Sequence, residues 1–222
     1  MKKIKISLLT LIFICITISF SSAQNSVKIL IETSMGNMTA ELYDQTPFHQ
    51  ENFLKLIKEH YYDGLLFHRV IKDFMIQTGD PNSKNAKPGQ LLGRGGPGYT
   101  IPAEFRPELY HRKGAIAAAR QGDRINPKKE SSGSQFYIVE GRKFTDQELD
   151  AMEQRNMHIR FTDEQRKIYK TVGGTPHLDY SYTVFGQVTK GLNILDSIAN
   201  VPTDKNNRPL KDVKIITIKI LK

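Results

Sequence analysis

The chain has 222 residues, 39% of them hydrophobic and 25% charged, with a single cysteine. That length suits one good core and is short for two equal domains, and one cysteine excludes a disulfide scaffold. The formal charge of +9 is scattered, and its densest cluster, Asn126 to Glu130 (NPKKE), contains an acid, so a soluble basic surface is expected and nucleic-acid binding is not.

Residues 1–23 read as a secretory signal. A basic opening (MKKIK) precedes an apolar run of 15 residues, and Ser21 and Ala23 supply small residues ahead of a cut. A membrane anchor needs about 20 apolar residues, and the serine-rich end shortens this run. Cleavage after Ala23 removes Lys2, Lys3 and Lys5, leaving 29 basic against 23 acidic residues, a charge of +6. Cys15 lies inside the signal, behind Ile14 rather than a small residue, so lipid attachment is not expected. The remaining domain, 24–222, is expected to be exported to a periplasm or cell envelope without a membrane tether, free of thiols and stabilised by packing alone.

The first predicted elements are a hairpin, VKILIETSMGNMTAELY, alternating and broken at Met35-Gly36-Asn37. Thr46 and Pro47 then stand as N-cap and first residue of a helix that spaces Phe53, Leu54 and Ile57 along one face. A second strand pair lies in Phe67 to Pro81 (FHRVIKDFMIQTGDP), and a glycine- and proline-rich loop runs from Gly79 to Pro107. Further strand candidates are GAIAAA, SQFYIV, YTVFGQV and VKIITIKI, with a short helix marked by Leu192, Leu195 and Ile198. Many short strands with two helices suggest a barrel or sandwich. From Arg142 to Val172 the pattern turns charged and helical, with capping boxes at Thr145/Glu148 and Thr162/Gln165 and a staple between Phe144 and Leu149. This is expected to be a helical insertion, because about 30 residues cannot enclose a core of their own.

Several motifs fail on context. GRGGPG, Gly93 to Gly98, matches a dinucleotide fingerprint but lacks the preceding strand, and Pro97 and Pro102 obstruct the helix that should follow. The six histidines show no zinc-binding spacing, with His49 and His60 read as helix-surface residues, so no metal is expected. Ser131, Ser132 and Ser134 lack a nucleophile elbow.

Five ordered motifs carry a resemblance: FHRVIKDFMIQTGDP, GGPGYTIPAEF, GAIAAAR, GSQFYIV and HLDYSYTVFGQV. The sequence resembles the cyclophilins, peptidyl-prolyl cis-trans isomerases, from about Val27 to Leu221 outside the insertion. The resemblance implies a mainly β fold: an eight-stranded antiparallel closed barrel capped by two helices, with a substrate groove on its outer face and no cofactor. It puts the catalytic arginine on Arg69, beside His68, and the proline pocket on Phe74, Met75, Tyr137 and Leu178. Gln77 and Gln135 fall on positions that bind substrate backbone, with Phe136 adjoining. Ala119 and Arg120 fall on the stretch whose main chain holds the peptide, and His177 and Tyr182 on the groove rim. Three residues depart from the pattern. Tyr137 stands where phenylalanine is common, Tyr182 where some members have histidine, and His177 where many have a tryptophan that contacts cyclosporin, which weakens the expectation of binding such ligands.

Spacing alone leaves the register of the second hairpin open. A two-residue corner at Lys72-Asp73 would face Arg69 toward Ile76 but demands positive φ angles that suit neither residue, whereas a three-residue corner, Lys72 to Phe74, pairs Arg69 with Gln77. Phe74 does not suit that corner easily either, and the resemblance settles the register more than turn chemistry does. A cation, an amide and an apolar floor on one face suit rotation about an X-Pro bond in proline-containing polypeptides, which needs no nucleophile, acid or base. Two other functions fit parts of the pattern: a peptide-binding chaperone or scaffold using the groove without turnover, and a barrel enclosing a small ligand, as lipocalins do. A monomer is the default state.

Overall fold

A computed structural model describes residues 26–155 and 159–221; the expected signal, 1–23, lies outside them. The first two strands, β1 (Val27–Thr33) and β2 (Gly36–Leu42), form the expected hairpin around Ser34 and Met35. Gly36 has φ +129°, and a Cβ there would lie 2.5 Å from Ile194 Cδ1, so only glycine fits the corner. Ile29, Ile31, Met38, Ala40 and Leu42 alternate inward and are fully buried.

Helix α1 (Pro47–Lys58) follows, burying Phe53, Leu56 and Ile57 with Leu54 partly covered. Its cap differs from the expected one. Thr46 holds the N-cap position, but its hydroxyl donates to Tyr43 O; the Phe48 and His49 N–H groups donate instead to the Glu104 carboxylate, 55 residues away along the chain from His49. His49 is accordingly not a surface residue. Buried in the core, it bonds Glu104 through Nδ1 (2.6 Å) and Ser131 Oγ through Nε2 (2.9 Å).

The remaining strands are β3 (Arg69–Ile71), β4 (Met75–Thr78), β5 (Thr100–Ile101), β6 (Ala115–Ala118), β7 (Ser131–Ser132), β8 (Phe136–Val139), β9 (Val184–Lys190) and β10 (Ile215–Ile220). Helices α2 (Asp146–Arg155) and α3 (Asp163–Thr171) form the insertion, and α4 (Leu192–Ala199) packs on the sheet. Eight strands make one antiparallel sheet in the order β10-β1-β2-β9-β6-β8-β4-β3, while β5 and β7 pair separately. Closure of the barrel is looser than expected. No ladder joins β3 to β10; the edges meet through the segment before β3, with a bridge between Leu66 and Lys214 flanked by Ile215 N to Leu65 O and Phe67 N to Val213 O.

Side chains fill the interior. The recess that reaches it between Phe53, Tyr62, Phe136 and Phe185 holds about 10 Å³, about one water, which is incompatible with an enclosed-ligand carrier. In the insertion both capping boxes form, at Thr145 with Glu148 and at Thr162 with Gln165. Phe144, Leu149, Ile159, Phe161 and Tyr169 make a small core that is completed by Tyr110 and Tyr180 from outside it, so the segment borrows surface from the barrel. Its two ends are clasped by paired backbone hydrogen bonds between Arg142 and Gly174.

Candidate active site

The strand pair β3–β4 adopts the three-residue corner, with Arg69 opposite Gln77 and Ile71 opposite Met75. Contrary to the expectation that Asp73 is unsuited to positive φ, it takes the left-handed conformation at φ +59°, which its short polar side chain tolerates. Arg69 and Gln77 therefore share the outer face, where Arg69 Nη1 donates to Gln77 Oε1 (3.3 Å). Gln77 Nε2 donates onward to Gln135 Oε1 (3.1 Å), and Gln135 Nε2 to Gly95 O (2.7 Å), so the loop of GRGGPG anchors the row of amides. That loop is folded around buried Asp80, whose carboxylate accepts from the N–H groups of Asn82, Gly93 and Arg94.

Arg69 is half-buried, and among the described residues it makes no ion pair; burial lowers its pKa from the usual arginine range. Its guanidinium stands 5.8 Å from the centre of the Phe74 ring and 4.0 Å from Met75 Sδ. Next to it lies an apolar cluster separate from the barrel core: Met75, Ala115, Ala117, Tyr137, Val139 and Val184, edged by Phe74, Ala119, Leu178 and Tyr182. His177 stacks on Phe74 at 5.6 Å, its pKa pushed down by burial. The Arg120 guanidinium covers the Tyr182 ring at 4.5 Å and donates from Nε to Ser181 O. Two recesses meet at Gln77. One of about 230 Å³ is lined by His68, Arg69 and Gly93, and one of about 1110 Å³ by Gly95, Ala119, Arg120 and Gln135.

Phe136 does not belong to this site. Alternation along β8 sends Tyr137 and Val139 outward and Phe136 and Ile138 inward, where Phe136 meets Phe53 and Tyr62 edge-on. His68 is also outside the apolar cluster, buried beside Gly93, with its pKa pushed down to about 4, chiefly by burial. Of the predicted main-chain holders, Ala119 has its N–H bonded to Gln135 O and its C=O to Ser132 N, whereas Arg120 enters no backbone–backbone hydrogen bond among the described residues. The residues missed by sequence reasoning are Ala115, Ala117, Val139 and Val184 in the cluster and His111 and Asp179 behind it. Alternation along GAIAAA, SQFYIV and YTVFGQV would have found the first four; nothing local marks the others.

An outer-face groove, an arginine that makes no ion pair among the described residues, an apolar cluster beside it and an eight-stranded antiparallel sheet together define the class of fold and site. Residues 28–220 match the family model for cyclophilin type peptidyl-prolyl cis-trans isomerase/CLD. The chain belongs to this family of isomerases. A Staphylococcus saprophyticus protein provisionally named peptidyl-prolyl cis-trans isomerase is 35% identical over 198 residues, which cover 89% of this chain and 93% of that protein. A Streptococcus pyogenes protein provisionally named bifunctional phosphatase/peptidyl-prolyl cis-trans isomerase is 39% identical, but the match spans only 38% of its length and 87% of this chain. Among solved structures, a cyclophilin type peptidyl-prolyl cis-trans isomerase of Cryptosporidium parvum superposes with TM-score 0.66 at 28% identity, covering 89% of this chain and 98% of that one. The same protein in the presence of the dipeptide Ala-Pro gives TM-score 0.65, covering 88% of this chain and 99% of that one.

Proposed function

We propose that this isomerase rotates X-Pro bonds at the groove between Arg69 and the Phe74–Met75–Tyr137–Leu178 slot, with Arg69 as its catalytic residue. The observation that carries the proposal is a half-buried guanidinium that makes no ion pair among the described residues and is held by Gln77 beside the apolar cluster of Met75 and Tyr137 edged by Phe74 and Leu178. The planar X-Pro amide keeps the nitrogen lone pair in the carbonyl; twisting returns that pair to nitrogen. A guanidinium can then donate to the nitrogen, a contact largely absent in the planar state, while its fork holds the proline carbonyl. Uncatalysed exchange takes tens to hundreds of seconds, so reaching an ordinary turnover of about 1–10³ s⁻¹ requires roughly 3–7 kcal/mol. A charged hydrogen bond in a partly dry groove, with orientation of the proline ring in the slot, can supply that. Gln77 and Gln135 face the same groove as polar contacts for substrate backbone, as does the main chain of Arg120.

The clients are proposed to be exported or unfolded polypeptides, met in a periplasm or cell envelope after cleavage near Ala23, where isomerisation assists folding. The support is the charged-then-apolar leader of residues 1–20 and the small residues that follow. The insertion is proposed to extend the groove rim: its Arg142, Phe144 and Met152 line, with His177 outside it, a recess of about 390 Å³, and His177 stacks on Phe74. With His177 in place of a broad indole, affinity for cyclosporin-like ligands is expected to be weak.

Turnover of a proline tetrapeptide by Arg69→Ala and Arg69→Lys tests the assignment. Both are expected to lose about 10²–10³-fold in kcat/KM, with peptide affinity falling far less. Wild-type rates in Arg69→Ala would overturn it and favour a groove that holds peptides without turnover.

A further inference from the structure

The hydroxyl of Tyr137 needs a physical account, because a phenylalanine would give the slot the same floor without burying a polar group. Tyr137 is 4% exposed, and its phenol lies 3.0 Å from His111 Nε2. His111 is 1% exposed and addresses Asp179 Oδ1 twice, from its backbone N–H (2.9 Å) and from ring Nδ1 (2.8 Å). Asp179 is 3% exposed, and its other oxygen accepts from Tyr169 Oη (2.6 Å), a residue of α3 with no exposure at all. The directions are mutually consistent. A carboxylate only accepts, so His111 carries a proton on Nδ1, and in the neutral ring Nε2 offers a lone pair to which the Tyr137 O–H donates. Burial raises the pKa of both phenols well above the usual tyrosine range, so both remain donors near neutrality.

We propose that the buried chain Tyr169–Asp179–His111–Tyr137 is a positioning device through which the helical insertion sets the floor of the proline slot. The proposal rests on the reading of that slot as the substrate site. Each member is nearly water-free, and the two inner members, Asp179 and His111, are bonded on both sides, so breaking one link leaves a buried polar atom unsatisfied and costs more than the bond itself returns. The chain also fixes neighbouring rings. His111 stacks on Tyr137 at an interplanar angle of 15°, and Tyr182 meets both edge-on, at 6.0 Å from Tyr137 and 6.5 Å from His111. Tyr182 in turn carries Arg120 on its face, so the rim facing the large recess is set by the same array. Tyr169 itself touches no part of the slot. It acts as a positioning residue from the insertion's own small core.

The test compares wild type, Tyr137→Phe, Tyr169→Phe and the double variant on a proline tetrapeptide, with Thr145→Ala as a control that weakens α2 without touching the chain. Tyr169→Phe is expected to lower kcat/KM by about two- to thirtyfold, mostly through KM. The double variant should lose no more than the larger single loss, the non-additivity of residues acting in one network. Thr145→Ala should lower the melting temperature and leave kcat/KM unchanged. A readout independent of turnover is the nuclear magnetic resonance of the Tyr137 ring, which must shift in Tyr169→Phe. Wild-type kcat/KM and an unmoved Tyr137 ring in folded Tyr169→Phe would overturn the proposal while Arg69→Ala still loses activity. An equal activity loss in Thr145→Ala would also overturn it, assigning the effect to stability. Full activity in Arg69→Ala would instead remove the reading of the slot on which the proposal stands.

Discussion

His68 and Arg69 are sequence neighbours in opposite surroundings. Arg69 turns to the groove, while His68 is 5% exposed beneath the loop at Gly93, and neither ring nitrogen makes a hydrogen bond of ordinary length and angle. Burial disfavours the charged ring most, Arg69 adds repulsion, and nearby Asp80 only partly offsets them, leaving the pKa at about 4. An unfolded histidine titrates near 6.5, so between the two values the unfolded chain binds more protons than the folded one. His68 therefore contributes its full stability above about pH 6.5, and that contribution is lost as pH falls towards about 4. The loss amounts to about 2 kcal/mol by pH 5. Urea unfolding at pH 7 and pH 5 should show it in the wild type and show much less in His68→Phe. A His68 ring signal titrating near 6.5 would contradict this account.

Elements were legible wherever their determinants are local. The capping boxes of α2 and α3 are three-residue relations, and both form because the polar partners are already adjacent when the helix nucleates. The β3–β4 register followed from turn geometry together with the resemblance. Where the partner is remote, sequence reasoning failed. Nothing in TPFHQENF indicates that its free N–H groups will meet Glu104, or that His49 will be buried between Glu104 and Ser131, 82 residues further on. Phe136 adjoins Gln135 and Tyr137 in sequence, but the two-residue alternation of β8 turns it inward to the core. The cap of α1 gives a direct test. Glu104→Gln removes the charge from three hydrogen bonds in a buried setting and should cost about 1–3 kcal/mol. Thr46→Ala, whose hydroxyl does not cap, should cost less than about 1 kcal/mol. Chemical denaturation midpoints of the two variants check the order, and a reversed order would show that the cap is local after all.

At the scale of the whole molecule, the sheet order brings the beginning and end of the folded domain together. β1 pairs with β10, and β10 continues into the bridge that draws the β3 edge across. The strands themselves could be found from alternation, but their order could not, because pairings between segments about 190 residues apart, such as Ile29 with Ile220, leave no mark in either segment. This arrangement bears on the proposed export. A chain emerging N-terminus first cannot bury Ile29 and Ile31 against Ile215 and Ile218 until β10 is available, so if the chain is exported as proposed its barrel closes only near the end of that passage. Closure late in the chain predicts that deletion of residues 213–222 abolishes folding. It removes Val213, Ile215 and Ile218 from the core and the hydrogen bonds to residues 64, 65 and 67. At roughly 1.5–3 kcal/mol for each buried aliphatic side chain, the loss rivals the 5–15 kcal/mol that holds an ordinary domain together. Circular dichroism of a chain ending at Asp212 should show no cooperative thermal transition, whereas a chain beginning at Gln24 should melt as one unit. A cooperative melt in the shortened chain would mean that the remaining strands close without β10, and that the edges of this sheet are not held together where the backbone contacts put them.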